Sequence, residues 1–164
     1  MFLHALPFLL GYTLAPAVLL AGLNGGWWLL APFVIGWVLL PLADRVTGLN
    51  IRNLDTSIPE ARLVWHRAIL LGWVPVQIAL LVWALYRAGS GELSPSELGF
   101  FFLGLGVATG GIGITFAHEL IHRRTLWERR LGELLLISTA YGHFATEHVF
   151  GHHTTVGTPQ DPVS

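Results

Sequence analysis

The chain has 164 residues, is 53% hydrophobic and 12% charged, and carries a formal net charge of -1 with no cysteine. Soluble domains usually hold about twice that charged fraction, so lipid is expected to solvate much of the surface. The absence of thiols excludes a disulfide scaffold, a zinc–thiolate or iron–sulfur site and a cysteine nucleophile within this sequence, and the near-neutral charge gives no case for nucleic acid as a partner.

The N-terminus, MFLHALPFLL, has neither a basic leader region nor a small-residue cleavage site, so it reads as a retained membrane helix rather than a signal peptide. A bilayer core about 30 Å thick needs roughly 20 apolar residues in a helix. Four stretches qualify: 2–23, 27–43, 68–88 and 98–117. The first two are joined by a short turn, Gly22-Leu23-Asn24-Gly25-Gly26, which makes them an antiparallel hairpin. The connection 44–67 is longer and of mixed charge. In the connection 89–97, Ser94, Pro95 and Ser96 supply a helix start. A fifth apolar run, 131–141, is too short to span comfortably and is expected at the interface or packed inside the bundle. The fold class is therefore all-α, an integral membrane helical bundle of about four transmembrane helices with a short additional helix.

Arginine placement sets the expected orientation. Arg45, Arg52, Arg62 and Arg67 lie between the second and third stretches, Arg123, Arg124, Arg129 and Arg130 follow the fourth, and only Arg87 lies on the other side. Such a bias puts both charged segments, and the N-terminus, in the cytoplasm. Trp27, Trp28, Trp65, Tyr86 and Trp127 fall near helix ends, where interfacial aromatics anchor a span. Gly104, Gly106, Gly110, Gly111 and Gly113 in the fourth stretch suit close helix packing, or else leave room for a substrate beside the histidines.

The chemistry is concentrated in histidine. The fourth stretch ends in ITFAHELIHRR, where His118 and His122 are four apart and share a helix face. Further on, YGHFATEHVFGHH places His148 and His152 four apart with His153 adjacent. Two helical turns can thus present five imidazoles toward one point, a set that suits iron, zinc or copper. His4 and His66 read as ordinary interface residues, whereas His143 stands between structural and supporting roles. HELIH also fits the HExxH pattern of zinc peptidases, but five nitrogens are too many for one catalytic zinc with an open position. A divalent-cation path is disfavoured because the spans are almost wholly apolar and the histidines gather at one side. Two irons with open positions, able to reduce dioxygen and attack an unactivated C–H bond in an apolar pocket, accommodate the set best.

At HELIHR (118–123) and EHVFGHHTTVGTPQDP (147–162) the sequence resembles the membrane-bound alkane 1-monooxygenase family, within the fatty acid desaturase and hydroxylase superfamily. PLADRVTGLN (41–50) is similar to that family's loop after its first helix pair. The resemblance implies iron ligation by His118, His122, His148, His152 and His153, with no further catalytic residue assigned. It makes Glu119, Glu147, His143 and Asp161 candidates for orienting imidazoles. It also implies a non-haem di-iron centre using O2, terminal hydroxylation of n-alkanes, electrons from rubredoxin and its NAD(P)H-dependent reductase, and a place in the bacterial inner membrane. Xylene-type or fatty-acyl hydroxylases and desaturases are the alternative. Family members continue with an N-Y-x-x-H-Y-G segment and a third histidine box, so residues 1–164 are expected to be the N-terminal part of one oxygenase domain, unable alone to hold both irons.

Overall fold

The computed structural model describes residues 2–48, 59 and 62–161. Arg52, Leu49, Asn50 and Pro162, which entered the readings above, lie outside the described residues. Among the described residues are four helices long and apolar enough to span a membrane: α1 (Phe2–Asn24), α2 (Gly26–Thr47), α3 (Val64–Gly89) and α4 (Pro95–Ile121). They are followed by α5 (Leu126–Ser138) and a short helix, α6, over 144–155. No strand occurs among the described residues. In hydrocarbon only helices or closed barrels satisfy every backbone group, and the apolar stretches are long enough to take the first solution.

The expected elements are present, with shifted ends. Gly22, Leu23 and Asn24 do not leave the first helix. The break falls at Gly25 alone, whose φ of 62° and ψ of -159° suit a residue without a side chain. The fourth span continues through Ile121, so His118 is helical and His122 caps the helix. The short helix begins at Leu126, five residues ahead of the expected run, because its amphipathic first turn is held by charge rather than by apolar content. Glu128 there is buried, accepting from Arg67 Nε at 2.7 Å and from the Thr125 hydroxyl. Arg67 also lies over the Trp127 ring, 5.3 Å from its centroid. Ser94 caps α4 in a reciprocal capping box with Glu97, at the helix start expected from Ser94, Pro95 and Ser96.

The two ends of the bundle differ in character. At one end, Phe2 packs edge-on against Trp65 and Arg67 reaches Glu128, so the N-terminus, the start of α3 and the start of α5 are neighbours. At the other, Glu97 accepts the Gly26 N–H, and Arg87 donates to the carbonyls of Gly22 and Leu23 at the end of α1. Arg87 also pairs with Glu92 at 2.5 Å. Large apolar side chains such as Trp27, Trp37 and Leu85 point outward, as they do where lipid is the solvent.

Helix α5 packs along the last turns of α4. Gly132 permits this: a Cβ there would stand 2.9 Å from the Ala117 carbonyl oxygen, 2.9 Å from Leu120 Cβ and 3.0 Å from Ile121 Cγ2. Leu135 and Leu136 complete the seam, both fully buried. The helix then ends in a Schellman turn, with Tyr141 N–H donating to Leu136 O at 2.8 Å and Ala140 N–H to Ile137 O at 3.0 Å. The left-handed position in that turn is Ala140, at φ 58°. Glycine is the usual occupant, because a Cβ in this conformation costs about 1–2 kcal/mol. Ala140→Gly is therefore expected to stabilise the protein by about 1 kcal/mol, read as a raised midpoint of denaturant unfolding in mixed micelles. A lowered midpoint would show that the turn is not formed this way.

Candidate metal centre

The first histidine pair sits at the C-terminal end of α4. His118 lies in its final helical turns and His122 occupies the cap position immediately after Ile121. Residues 117, 120 and 121 face α5, and the neighbouring face, carrying 118 and 122, turns toward α6. The rings of His118 and His122 are 4.9 Å apart, edge to face.

The second group is shaped by an unexpected backbone feature. Residues Glu147–His152 form a π-helical turn, in which His153 N–H donates to His148 O. In an α-helix His148 and His152 share a face and His153 points away. The i to i+5 ladder of a π-turn stacks residue 153 over residue 148 instead. His153 Nε2 consequently stands 3.0 Å from His148 Nε2.

Together the two segments converge. His118 Nε2 is 2.8 Å from His148 Nε2, and one ligand nitrogen from each of His118, His122 and His148 falls in a group spanning at most 4.8 Å. His122 and His153 have ring centroids 4.8 Å apart. A neutral imidazole nitrogen has one lone pair or one proton, so His148 Nε2 cannot form a good hydrogen bond with two neighbouring nitrogens at once. A cation can engage all of them. Metal–nitrogen bonds of about 2.0–2.1 Å put adjacent ligand nitrogens roughly 3 Å apart, matching the separations to His148. The donor set fits a transition metal.

His152 is held differently. Its Nδ1–H donates to Asp161 Oδ2 at 2.9 Å, and the Asp161 side chain is fully buried. That bond fixes the tautomer and leaves Nε2 as the nitrogen with a lone pair. Its ring lies 5.5 Å from those of both His148 and His153. Glu119 Oε1 is 3.8 Å from His118 Nδ1, beyond hydrogen-bonding distance, and Glu147 is exposed, 4.0 Å from His143 Nε2. His143 packs edge-on against Tyr141. Glu119, Glu147 and His143 thus border the cluster without hydrogen-bonding its imidazoles.

Sequence reading missed Phe144. Its ring stacks on His148 at 4.8 Å and 15°, and Tyr141 stacks on Phe144 in turn. The two rings wedge His148 against His118. The available signal was spacing, since Phe144, His148 and His152 recur every four residues.

Burial is the largest influence on the protonation of His148. Loss of hydration, reinforced by the neighbouring His118 and His153, pushes its pKa from 6.5 down to about 4. His122 is lowered by the same causes, burial first. Both imidazoles are neutral near pH 7, the form in which they ligate.

A bundle of four membrane-spanning helices with converging imidazoles at one end defines the class: a membrane protein with a histidine-rich candidate metal site. Comparison with known proteins narrows it. Residues 95–164 match the family described as Fatty acid desaturase. Over 84% of its length the chain is 35% identical to alkane 1-monooxygenase 2 of Pseudomonas aeruginosa, covering 37% of that protein. It is 36% identical to alkane 1-monooxygenase 1 of the same organism over 82% of the chain and 35% of the relative. It is 30% identical to the alkane 1-monooxygenase of Ectopseudomonas oleovorans over 93% of the chain and 40% of that protein. The chain is thus similar over most of its own length to membrane-bound alkane 1-monooxygenases, and it spans between a third and two fifths of the length of these relatives.

Two tests follow. Between pH 6.5 and about 4 the unfolded chain binds a proton at His148 that the folded chain does not, so stability rises with pH across that window and is lost on acidification. The unfolding midpoint of the metal-free protein should fall from pH 6.5 toward 4, less steeply in His148→Phe; equal slopes would rule out His148 as a source. Asp161→Asn should weaken metal binding by about 10–100-fold, as loss of an imidazole's carboxylate partner typically does, measured by titration with Co2+.

Proposed function

We propose that this chain forms part of a di-iron alkane 1-monooxygenase that hydroxylates the terminal carbon of n-alkanes. The observation that carries the reading is the convergence of His118, His122, His148 and His153 at the end of α4, in a chain similar over most of its length to proteins named alkane 1-monooxygenases. His118, His122, His148, His152 and His153 would hold iron. When bound, the metal supplies activation of O2: one oxygen atom enters a C–H bond to give the alcohol, and the other leaves as water with two electrons and two protons from outside.

The chain's own residues prepare that chemistry. Asp161 fixes which nitrogen of His152 is offered. Phe144 and Tyr141 hold the plane of His148. Partial loss of hydration and the crowding of the rings keep His148 unprotonated at neutral pH, so protons do not compete for its ligand lone pair. His122 and His153 are exposed, which suits approach by a soluble electron carrier such as rubredoxin, recharged by its NAD(P)H-dependent reductase. The apolar spans give a hydrocarbon direct entry from the bilayer. The arginine bias favours the inner membrane with this end in the cytoplasm.

The test is whole-cell conversion of octane, hexadecane, xylene and an acyl lipid under 18O2, in a host without alkane oxidation. The expected product is the terminal alcohol with one labelled oxygen. His148→Ala and His152→Ala should each lower the rate at least about 100-fold, as loss of groups that hold and orient a metal does. Desaturated products alone, or full activity in both variants, would refute the reading.

A further inference from the structure

Gln77 lies in the middle of α3, in the apolar run LLGWVPVQIALLVWAL, and is completely buried. An amide inside a membrane bundle is costly unless it is paired, and this one is paired on both sides. Its Oε1 accepts from Trp73 Nε1–H at 2.8 Å. Its Nε2 donates to Ser138 Oγ at 2.7 Å and, at 3.5 Å, toward Leu135 O. Ser138 is the last residue of α5 and in turn donates to Leu135 O at 2.7 Å.

The same side chain is pressed against α4. A Cβ on Gly113 would stand 2.1 Å from Gln77 Oε1, so any other residue at 113 would displace the amide. Gly113 closes a π-helical stretch, Val107–Gly113, five residues before His118. Trp73 extends the contact, packing edge-on against Phe116 with centroids 6.2 Å apart. One side chain therefore touches the helix that delivers His118 and His122, and ties down the last residue of the helix from which the chain departs toward His148, His152 and His153.

We infer that Gln77 is a positioning residue: a polar strut that sets the separation of the two histidine segments through Gly113 on α4 and Ser138 on α5. The inference rests on the metal-centre reading above. It is independent of which hydrocarbon is oxidised. The strut acts at the base of the seam whose upper end is Gly132 against Ala117 and Leu120. With both fastened, α5 cannot slide or rotate against α4. With the lower one released, the Schellman turn at Ala140 and the start of α6 are free to shift, and His148 leaves the short contacts it makes with His118.

The experiment compares Gln77→Leu, Ser138→Ala, Ser138→Thr and the double variant Gln77→Leu/Ser138→Ala in detergent-solubilised protein. Two properties are read: amide hydrogen exchange over 126–138, and the affinity and d–d absorption of bound Co2+. Gln77→Leu and Ser138→Ala should each speed exchange in α5, weaken Co2+ binding by about tenfold and shift the absorption bands. Ser138→Thr keeps the hydroxyl and should behave like the unsubstituted protein. The double variant should be no worse than Gln77→Leu alone, since both remove one interaction. Ser138→Ala deletes a single part-buried oxygen and keeps the test decisive if Gln77→Leu fails to fold. A folded Gln77→Leu or Ser138→Ala protein with unchanged Co2+ affinity and spectrum overturns the inference. If the unsubstituted protein takes up no Co2+, the metal-centre reading fails instead; faster exchange in Ser138→Ala then still upholds the strut, and unchanged exchange overturns it.

Discussion

The close contact of α5 with the last turns of α4 is the constraint on which the rest depends. In lipid, apolar surface gains little by leaving its surroundings for another apolar surface, so helices associate through packing and buried polar contacts. Gly132 lets the two backbones approach until a side-chain carbon would collide with the Ala117 carbonyl. That approach orients α4 so that His118 meets His148 of α6. It also fixes where α5 ends, and therefore where the second histidine segment begins. Arg67 and Glu128 fasten the start of α5, and Gln77 and Ser138 its end.

Within this frame the histidines are held by three different means. His118 is carried by a rigid spanning helix. His148 is clamped by aromatic stacking from Phe144. His152 is tethered to a buried carboxylate nine residues on. A cluster built from such unlike supports does not depend on any one helix remaining straight, and α6 is accordingly free to contain a π-turn where a regular helix would separate His148 from His153.

The sequence made the spans legible because each is long, apolar and punctuated by Gly25, by the arginine-rich connections or by Ser94-Pro95. It made the histidines legible because the HxxxH and HxxxHH spacings are rare in an apolar chain. What remained hidden has physical reasons. Helix periodicity assumes 3.6 residues per turn, so it cannot foresee that His153 shares a face with His148. Apolar content cannot find the start of α5, because Glu128 is buried through its partner Arg67 rather than through its own chemistry. The role of Gln77 was hidden because its partners Trp73, Gly113 and Ser138 come from three places in the chain. The five glycines of the fourth span divide in a way composition could not show: Gly104 and Gly113 receive Pro32 and Gln77, while Gly106, Gly110 and Gly111 meet nothing nearby.

Arg87 bears on how the molecule sits in an electric field. Counted by residue, the far end of the bundle carries one positive charge. Three of its nitrogens are spent on the Gly22 and Leu23 carbonyls and the Ser90 hydroxyl, and its charge is matched by Glu92. It acts as a pin through the end of α1 and offers the surrounding water almost no net charge. The arginine count thus overstates the polarity of the molecule along the membrane normal: the eight arginines at the histidine end are matched by eight carboxylates, and Glu92 with Glu97 leaves the Arg87 end one charge negative, so a membrane potential acts on two ends that differ by about one charge.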